Sequence, residues 1–122
     1  MKNIYTDTET TGLQPPVARV IEIGWAEIPD ECPEAFSEMT LHEFRFQPTD
    51  TVLAQASPKA LEVNGYYRGH PDWEGTPYLD SEEAAQAWGK VAEAFAGARM
   101  LNQNIKFDLG FILAELRTHG VL

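Results

Sequence analysis

The sequence predicts an α/β fold on a mixed sheet, an antiparallel meander of three strands plus a parallel strand, with flanking helices. Two observations carry that prediction. Up to Pro48 the chain is a series of apolar and β-branched runs separated by Gly- and Pro-containing turns, which reads as three strands in a meander. From Ser57 onward the apolar residues recur at helical spacing, interrupted by one short run, RMLNQ, where a strand following a helix can lie parallel to the first.

In chain order, KNIYT is a β-rich run ending in Asp7, and TTGLQPP after it holds the Gly and Pro of a loop. Residues 19–28, RVIEIGWAEI, carry Ile21, Ile23 and Trp25 on one face and Val20, Ala26 and Ile28 on the other, which predicts a central strand apolar on both sides. MTLHEFRFQP alternates as a third strand closed by Pro48. Ser57 and Pro58 are an N-cap and a first helical residue, and Asn64-Gly65 is a stop, so SPKALEVNG is a short helix. Residues 66–80, with Tyr66, Tyr67, His70, Trp73 and Tyr78, read as an irregular loop that either packs its own rings or stacks on unpaired bases. Asp80 with Glu83 is a capping-box signature, and Ala84, Trp88, Val91 and Phe95 follow at helical spacing before Gly97. After RMLNQ, residues 107–119 form a last helix stopped by Gly120.

Composition narrows the function classes. At 122 residues, 43% hydrophobic and 23% charged, the chain is one ordinary globular domain spanning 1–122. No apolar run approaches a membrane span, and MKNIYTD turns acidic where a secretory signal would stay apolar. The single Cys32, with no cation near it in sequence, is an inert thiol and excludes an internal disulfide or cysteine-rich zinc site, so a cytoplasmic location is expected. Nine basic against 19 acidic residues leave a net charge of −10, without the basic face of a duplex-DNA or membrane binder. Contact with nucleic acid is then expected over a short stretch or through bound cations.

The chemistry-bearing residues are acids. Asp7 and Glu9 are two apart at the end of the first strand, so their side chains share a face. Asp108 opens the helix that follows the RMLNQ strand; if that strand is the parallel neighbour of the first, the three acids meet at one edge of the sheet. Such a cluster repels itself unless divalent cations relieve it. Hard carboxylate oxygens suit Mg²⁺ or Mn²⁺, and two such ions, about 4 Å apart, can clamp the attacking and leaving oxygens of a phosphodiester.

Asp7-Thr8-Glu9-Thr10-Thr11-Gly12 after a hydrophobic strand resembles the first exonuclease motif of the DEDD superfamily, and Asn104-Ile105-Lys106-Phe107-Asp108 with Phe111 resembles the second. Val63-Asn64-Gly65 between them is similar to the family's substrate-contacting segment. The five fixed letters of the first motif match by chance at any one start on the order of once in millions. The resemblance covers essentially the whole chain and points to the branch with a His in its third motif, which includes the proofreading subunit of bacterial DNA polymerase III. It implies a ribonuclease H-like fold and a 3′-to-5′ exonuclease that releases nucleoside 5′-monophosphates from single-stranded or frayed ends, DNA in preference to RNA. It also implies two divalent cations, Mg²⁺ or Mn²⁺, held by Asp7, Glu9 and Asp108. Thr8 and Thr10 would offer backbone or hydroxyl groups to the terminal nucleotide, Leu13 would pack near its base, and Asn64, Gln103 and Asn104 would line the substrate channel. A DNA polymerase is the partner the branch implies, although no readable motif encodes that contact.

One part of the family pattern is missing. The third motif, a general-base His with a fourth carboxylate five residues on, has no counterpart at His42, His70 or His119. The chain is therefore expected to be a C-terminally incomplete exonuclease-like domain, lacking the last strand and helix, with an open sheet edge through which a second copy could dimerise. The alternative is a non-catalytic binding or interaction module that keeps the fold.

Overall fold

The computed structural model describes residues 2–28, 39–63, 78–102 and 104–122. Four strands, β1 (Asn3–Thr10), β2 (Val20–Ile28), β3 (Leu41–Arg45) and β4 (Arg99–Met100), form one sheet in the order β3-β2-β1-β4. β2 pairs antiparallel with both β1 and β3, and β4 lies parallel to β1, as the sequence predicts. The helices are α1 (Asp50–Ala54), α2 (Pro58–Val63), α3 (Ser81–Phe95) and α4 (Ile105–Thr118).

The pleat of β1 sorts its residues. Ile4, Thr6, Thr8 and Thr10 are buried on the inner face, whereas Tyr5 and Asp7 are exposed and Glu9 is half-buried on the outer one. On the inner face Ile4, Ile23, Trp25 and Phe46 meet Trp88 and Val91 of α3 and Phe111, Ile112 and Leu116 of α4 in a single core. Trp88, 1% exposed, stacks on Phe46 with ring centroids 5.3 Å apart. Burying a side chain of this kind contributes roughly 2–3 kcal/mol, and this packing seats both helices on one side of the sheet.

Local rules set the helix ends. Asp80 accepts from the Glu83 amide at 2.9 Å while Glu83 accepts from the Asp80 amide at 3.2 Å, which is the predicted capping box. Ser57 accepts from the Ala60 amide at 3.3 Å ahead of Pro58. Gly97 and Gly120, at φ 69° and 72°, take the left-handed conformation that ends α3 and α4.

Several elements differ from the sequence reading. β1 runs on through Thr10, so Asp7 and Glu9 lie within a strand, because β2 continues to pair as far as Val20. β2 is not apolar on both faces. A register shift between Glu9 and Thr10 lets Val20 join the main core and Ile21 a second cluster with Leu61, Leu53 and Tyr78, while Glu22, Gly24 and Ala26 line the outer face. Tyr78 thus packs rather than stands ready to stack. α1 was not anticipated; Thr49 caps it by accepting from the Val52 amide at 3.2 Å. β4 is shorter than RMLNQ and is last in the sheet; among the described residues none pairs with its outer edge, and Leu101 and Ile105 after it are 41% and 42% exposed. Cys32, the Asn64-Gly65 stop, Tyr66, Tyr67, His70 and Trp73 lie outside the described residues. Among those described, no helix is long and apolar enough to cross a membrane.

Candidate active site

Asp7 and Glu9 project from the outer face of β1, with Gly24 and Glu22 directly across on β2. Gly24 has no side chain to cover Asp7, and a groove of about 210 Å³ opens there, lined among others by Asp7, Glu9, Glu22 and Glu43. The two-residue spacing does what the sequence predicts: it places both carboxylates on one face.

Asp108 arrives differently. It lies in the first turn of α4 and is buried, 7% exposed, with both oxygens held. The Thr8 hydroxyl donates to Oδ1 at 2.7 Å and the Asn102 amide Nδ2 donates to Oδ2 at 2.7 Å. Thr8 points inward between two residues that point outward, so Asp108 meets β1 from the inner side. The parallel pairing of β4 reaches only Ile4, whose carbonyl accepts from the Leu101 amide at 2.8 Å. At Thr6 the next acceptor along the strand edge is a side chain, Asn102 Oδ1, at 3.3 Å.

The three acids still share one electrostatic site. Although Asp7 is open to solvent on one side, partial desolvation against the sheet and the Asp108 charge raise its carboxyl above the usual range, against a lowering hydrogen bond from the Thr8 backbone. Burial, then Asp7, Glu22 and Asp108, push Glu9 up to about 7. Glu22 is raised by burial and by Glu43, partly offset by Arg45. Arg45 is engaged by Glu22 at 3.1 Å and Glu43 at 3.2 Å, and no basic side chain among the described residues is ion-paired with Asp7 or Glu9.

Hard oxygens with excess negative charge fit a divalent cation, whose binding would relieve the repulsion that raises Glu9. The fit is one of donor chemistry rather than of a closed cage. Among the described residues, no three His, Cys, Asp or Glu side chains converge closely enough to enclose an ion in this conformation.

The raised Glu9 has a measurable consequence. Between its ordinary value of 4.5 and about 7 the folded chain binds more protons than the unfolded one, so metal-free stability falls as pH rises through that window and stays lower above it. After allowance for solvent screening the Glu9 share is on the order of 1 kcal/mol. Melting in chelator at pH 5 and pH 8 should show a lower melting temperature at pH 8, with a smaller difference in Glu9→Gln. A Glu9→Gln profile as steep as wild type would mean that Glu9 does not carry the effect.

The remaining sequence-predicted residues are dispersed. The Thr8 hydroxyl donates to Asp108 and the Thr10 hydroxyl to the Gly12 carbonyl, each at 2.7 Å, so the single proton of each is used within the chain. Leu13 is 74% exposed just beyond β1. Asn104 occupies the N-cap of α4 without a side-chain capping bond, and Asn64 and Gln103 lie outside the described residues. Two residues escaped the sequence reading. Asn102 sits in the same Asn-Gln-Asn run, but only the path of the chain off β4 selects it; Glu22 is distant in sequence and becomes a neighbour of Glu9 through strand pairing alone.

No protein of curated function matches the sequence. Solved structures do match its fold. Exonuclease I of E. coli, in complex with a dT13 oligonucleotide, superposes with a TM-score of 0.73 at 17% identity, covering 97% of this chain and 24% of that one. A zinc-bound form of the E. coli enzyme with single-stranded DNA gives 0.72 at 16% identity, with 97% and 24% covered. A moderately thermophilic exonuclease I from Methylocaldum szegediense gives 0.72 at 19%, again with 97% and 24% covered. The chain thus spans about a quarter of the length of those exonucleases, and shares with them the mixed sheet and flanking helices of the ribonuclease H-like exonuclease fold. The RNase_T exonuclease profile matches residues 4–122, and the chain belongs to that family.

Proposed function

We propose that this chain carries the carboxylates of a metal-dependent 3′-to-5′ exonuclease that releases nucleoside monophosphates from single-stranded or frayed DNA ends. The observation that supports it most is the coupling of Asp7, Glu9 and Asp108 across one stretch of β1, with Glu9 held at about 7 and no basic side chain ion-paired with Asp7 or Glu9 among the described residues. Family membership and structural neighbours crystallised with dT13 and dA16 support single-stranded DNA as the substrate class. Proofreading beside a polymerase rests on the motif resemblance alone, and a single cysteine supports a reducing cytoplasm as the setting.

In this reading Asp7, Glu9 and Asp108 hold two divalent cations, Mg²⁺ or Mn²⁺. Bound cations of this kind lower the pKa of an attacking water and stabilise charge on the phosphodiester oxygens. Asp7 and Glu9 supply ligand oxygens from the outer face, while Asp108 is oriented from the inner side by Thr8 and Asn102. Leu13 and Asn104, both exposed, are the apolar and polar contacts for the terminal nucleotide, joined by Asn64 and Gln103 and by the backbones of Thr8 and Thr10. Neither His42 nor His70 is followed five residues later by an acid, and where a general base is lacking the rate falls about 10²–10⁴-fold.

Digestion of a 5′-labelled single-stranded oligonucleotide with Mn²⁺ tests the reading. A slow ladder shortening from the 3′ end, lost with chelator, is the expected result. Binding of Mn²⁺ and oligonucleotide without any ladder would favour a non-catalytic module, and absence of Mn²⁺ binding would overturn the metal site.

A further inference from the structure

Asn102 is half-buried and uses both ends of its carboxamide. Its Oδ1 accepts from the Thr6 amide of β1 at 3.3 Å, and its Nδ2 donates to Asp108 Oδ2 at 2.7 Å. The first bond stands where the β1–β4 ladder would otherwise continue, since the backbone leaves β1 after Leu101 donates to Ile4. One side chain therefore ties the free edge of β1 to the carboxylate that opens α4. With the Thr8 hydroxyl on Oδ1 at 2.7 Å, each oxygen of Asp108 is held by one donor from a different element, and rotation of the carboxylate is stopped. A carboxylate oxygen has room for two acceptor contacts, so one per oxygen remains for a cation.

We propose that Asn102 is a positioning residue for Asp108, fixing its carboxylate against β1 as a cation ligand. This rests on the reading of Asp108 as a cation ligand. Partners that orient a metal ligand typically contribute 10–100-fold to metal affinity, because an unheld carboxylate must be ordered when the ion binds. Asn102 reaches neither the outer-face acids nor the groove they line in this structure, so it acts through Asp108.

The test is Mn²⁺ binding by calorimetry to the full chain, without nucleic acid, for wild type, Asn102→Ala, Asp108→Asn and the double variant, each with a melting curve. Asn102→Ala should weaken Mn²⁺ binding 10–100-fold, and in the Asp108→Asn background the same change should have less than a twofold effect. A general loosening of the fold would instead weaken binding equally in both backgrounds and would overturn the proposal. Wild-type binding that Asn102→Ala leaves within twofold overturns it alone, whereas absence of wild-type Mn²⁺ binding overturns the cation-site reading and this proposal with it. Should Asn102→Ala lose its cooperative melt, Asn102→Ser, which keeps a polar group at the strand edge, carries the same expectation.

Discussion

Asp7→Asn is expected to weaken Mn²⁺ binding at least tenfold, to reduce any exonuclease ladder to background, and yet to raise the melting temperature of the metal-free protein. The signs differ because the same charge plays opposite parts in the two states. Without metal, Asp7 raises the pKa of Glu9 and feels Asp108 in turn, with no salt-bridge partner among the described residues. Asparagine keeps nearly the same shape and removes that repulsion, which for a domain of this size should raise the melting temperature by roughly 2–4 °C. With metal, the carboxylate is a ligand, and its loss costs at least what the loss of an orienting partner costs. Calorimetric Mn²⁺ titration and paired melts with and without chelator read both effects. A melting temperature that falls in chelator would mark Asp7 as a structural strand residue, and unchanged Mn²⁺ affinity would remove it from the ligand set.

The largest stability effect is expected away from the acids, at Arg19→Ala. Glu115 on α4 is 3% exposed and accepts from Arg19 Nε at 2.7 Å, Arg19 Nη2 at 2.8 Å and the Val20 amide at 3.1 Å, with His119 Nε2 at 3.3 Å. The hydrogen bonds that the guanidinium donates to Glu115 hold it even more firmly protonated than usual. This two-pronged pair fastens the start of β2 to α4, the helix that also carries Asp108. Removing Arg19 leaves a buried carboxylate without its main partner, a change worth about 3–5 kcal/mol and enough to lower the melting temperature by roughly 10 °C or more. Removing both charges with size-matched apolar residues, Arg19→Met with Glu115→Leu, should recover part of the loss, because neither charge is then stranded although the Val20 amide loses its acceptor. Thermal denaturation of the single and double variants measures it. A single-variant loss below 1 kcal/mol would place the pair among screened surface ion pairs.

Local signals were legible where the residues that decide them are neighbours in sequence. The capping box of Asp80 and Glu83, the Ser57-Pro58 helix start and the glycine stops at 97 and 120 all sit where short-range rules put them. The shared face of Asp7 and Glu9 follows from the period of an extended strand and needs nothing from the rest of the chain. The parallel placement of the strand before Asp108 was also readable, from the order of elements and the motif resemblance. What failed depended on distant partners. β1 outran its expected end because β2 pairs along it to Thr10, and β2 is covered on one face only from Glu22 to Ala26, while a register shift sends Val20 and Ile21 into different clusters. The five residues of α1 carry too short a pattern to show a helical period, and only their cap marks them.

The sequence by itself determined the identity of the acids, their spacing and their family. Those properties are written in covalent order and in the two-residue repeat of a strand. Only the tertiary structure decided how the acids interact. Glu22 stands beside Glu9 because two strands pair in one register, and Asp108 meets β1 from the inner side through Thr8 and Asn102 because β4 stops pairing at Ile4. Charge repulsion, burial and hydrogen bonding act through space over a few ångströms, and residues up to 100 positions apart in the chain come within that reach only when the sheet and α4 are assembled.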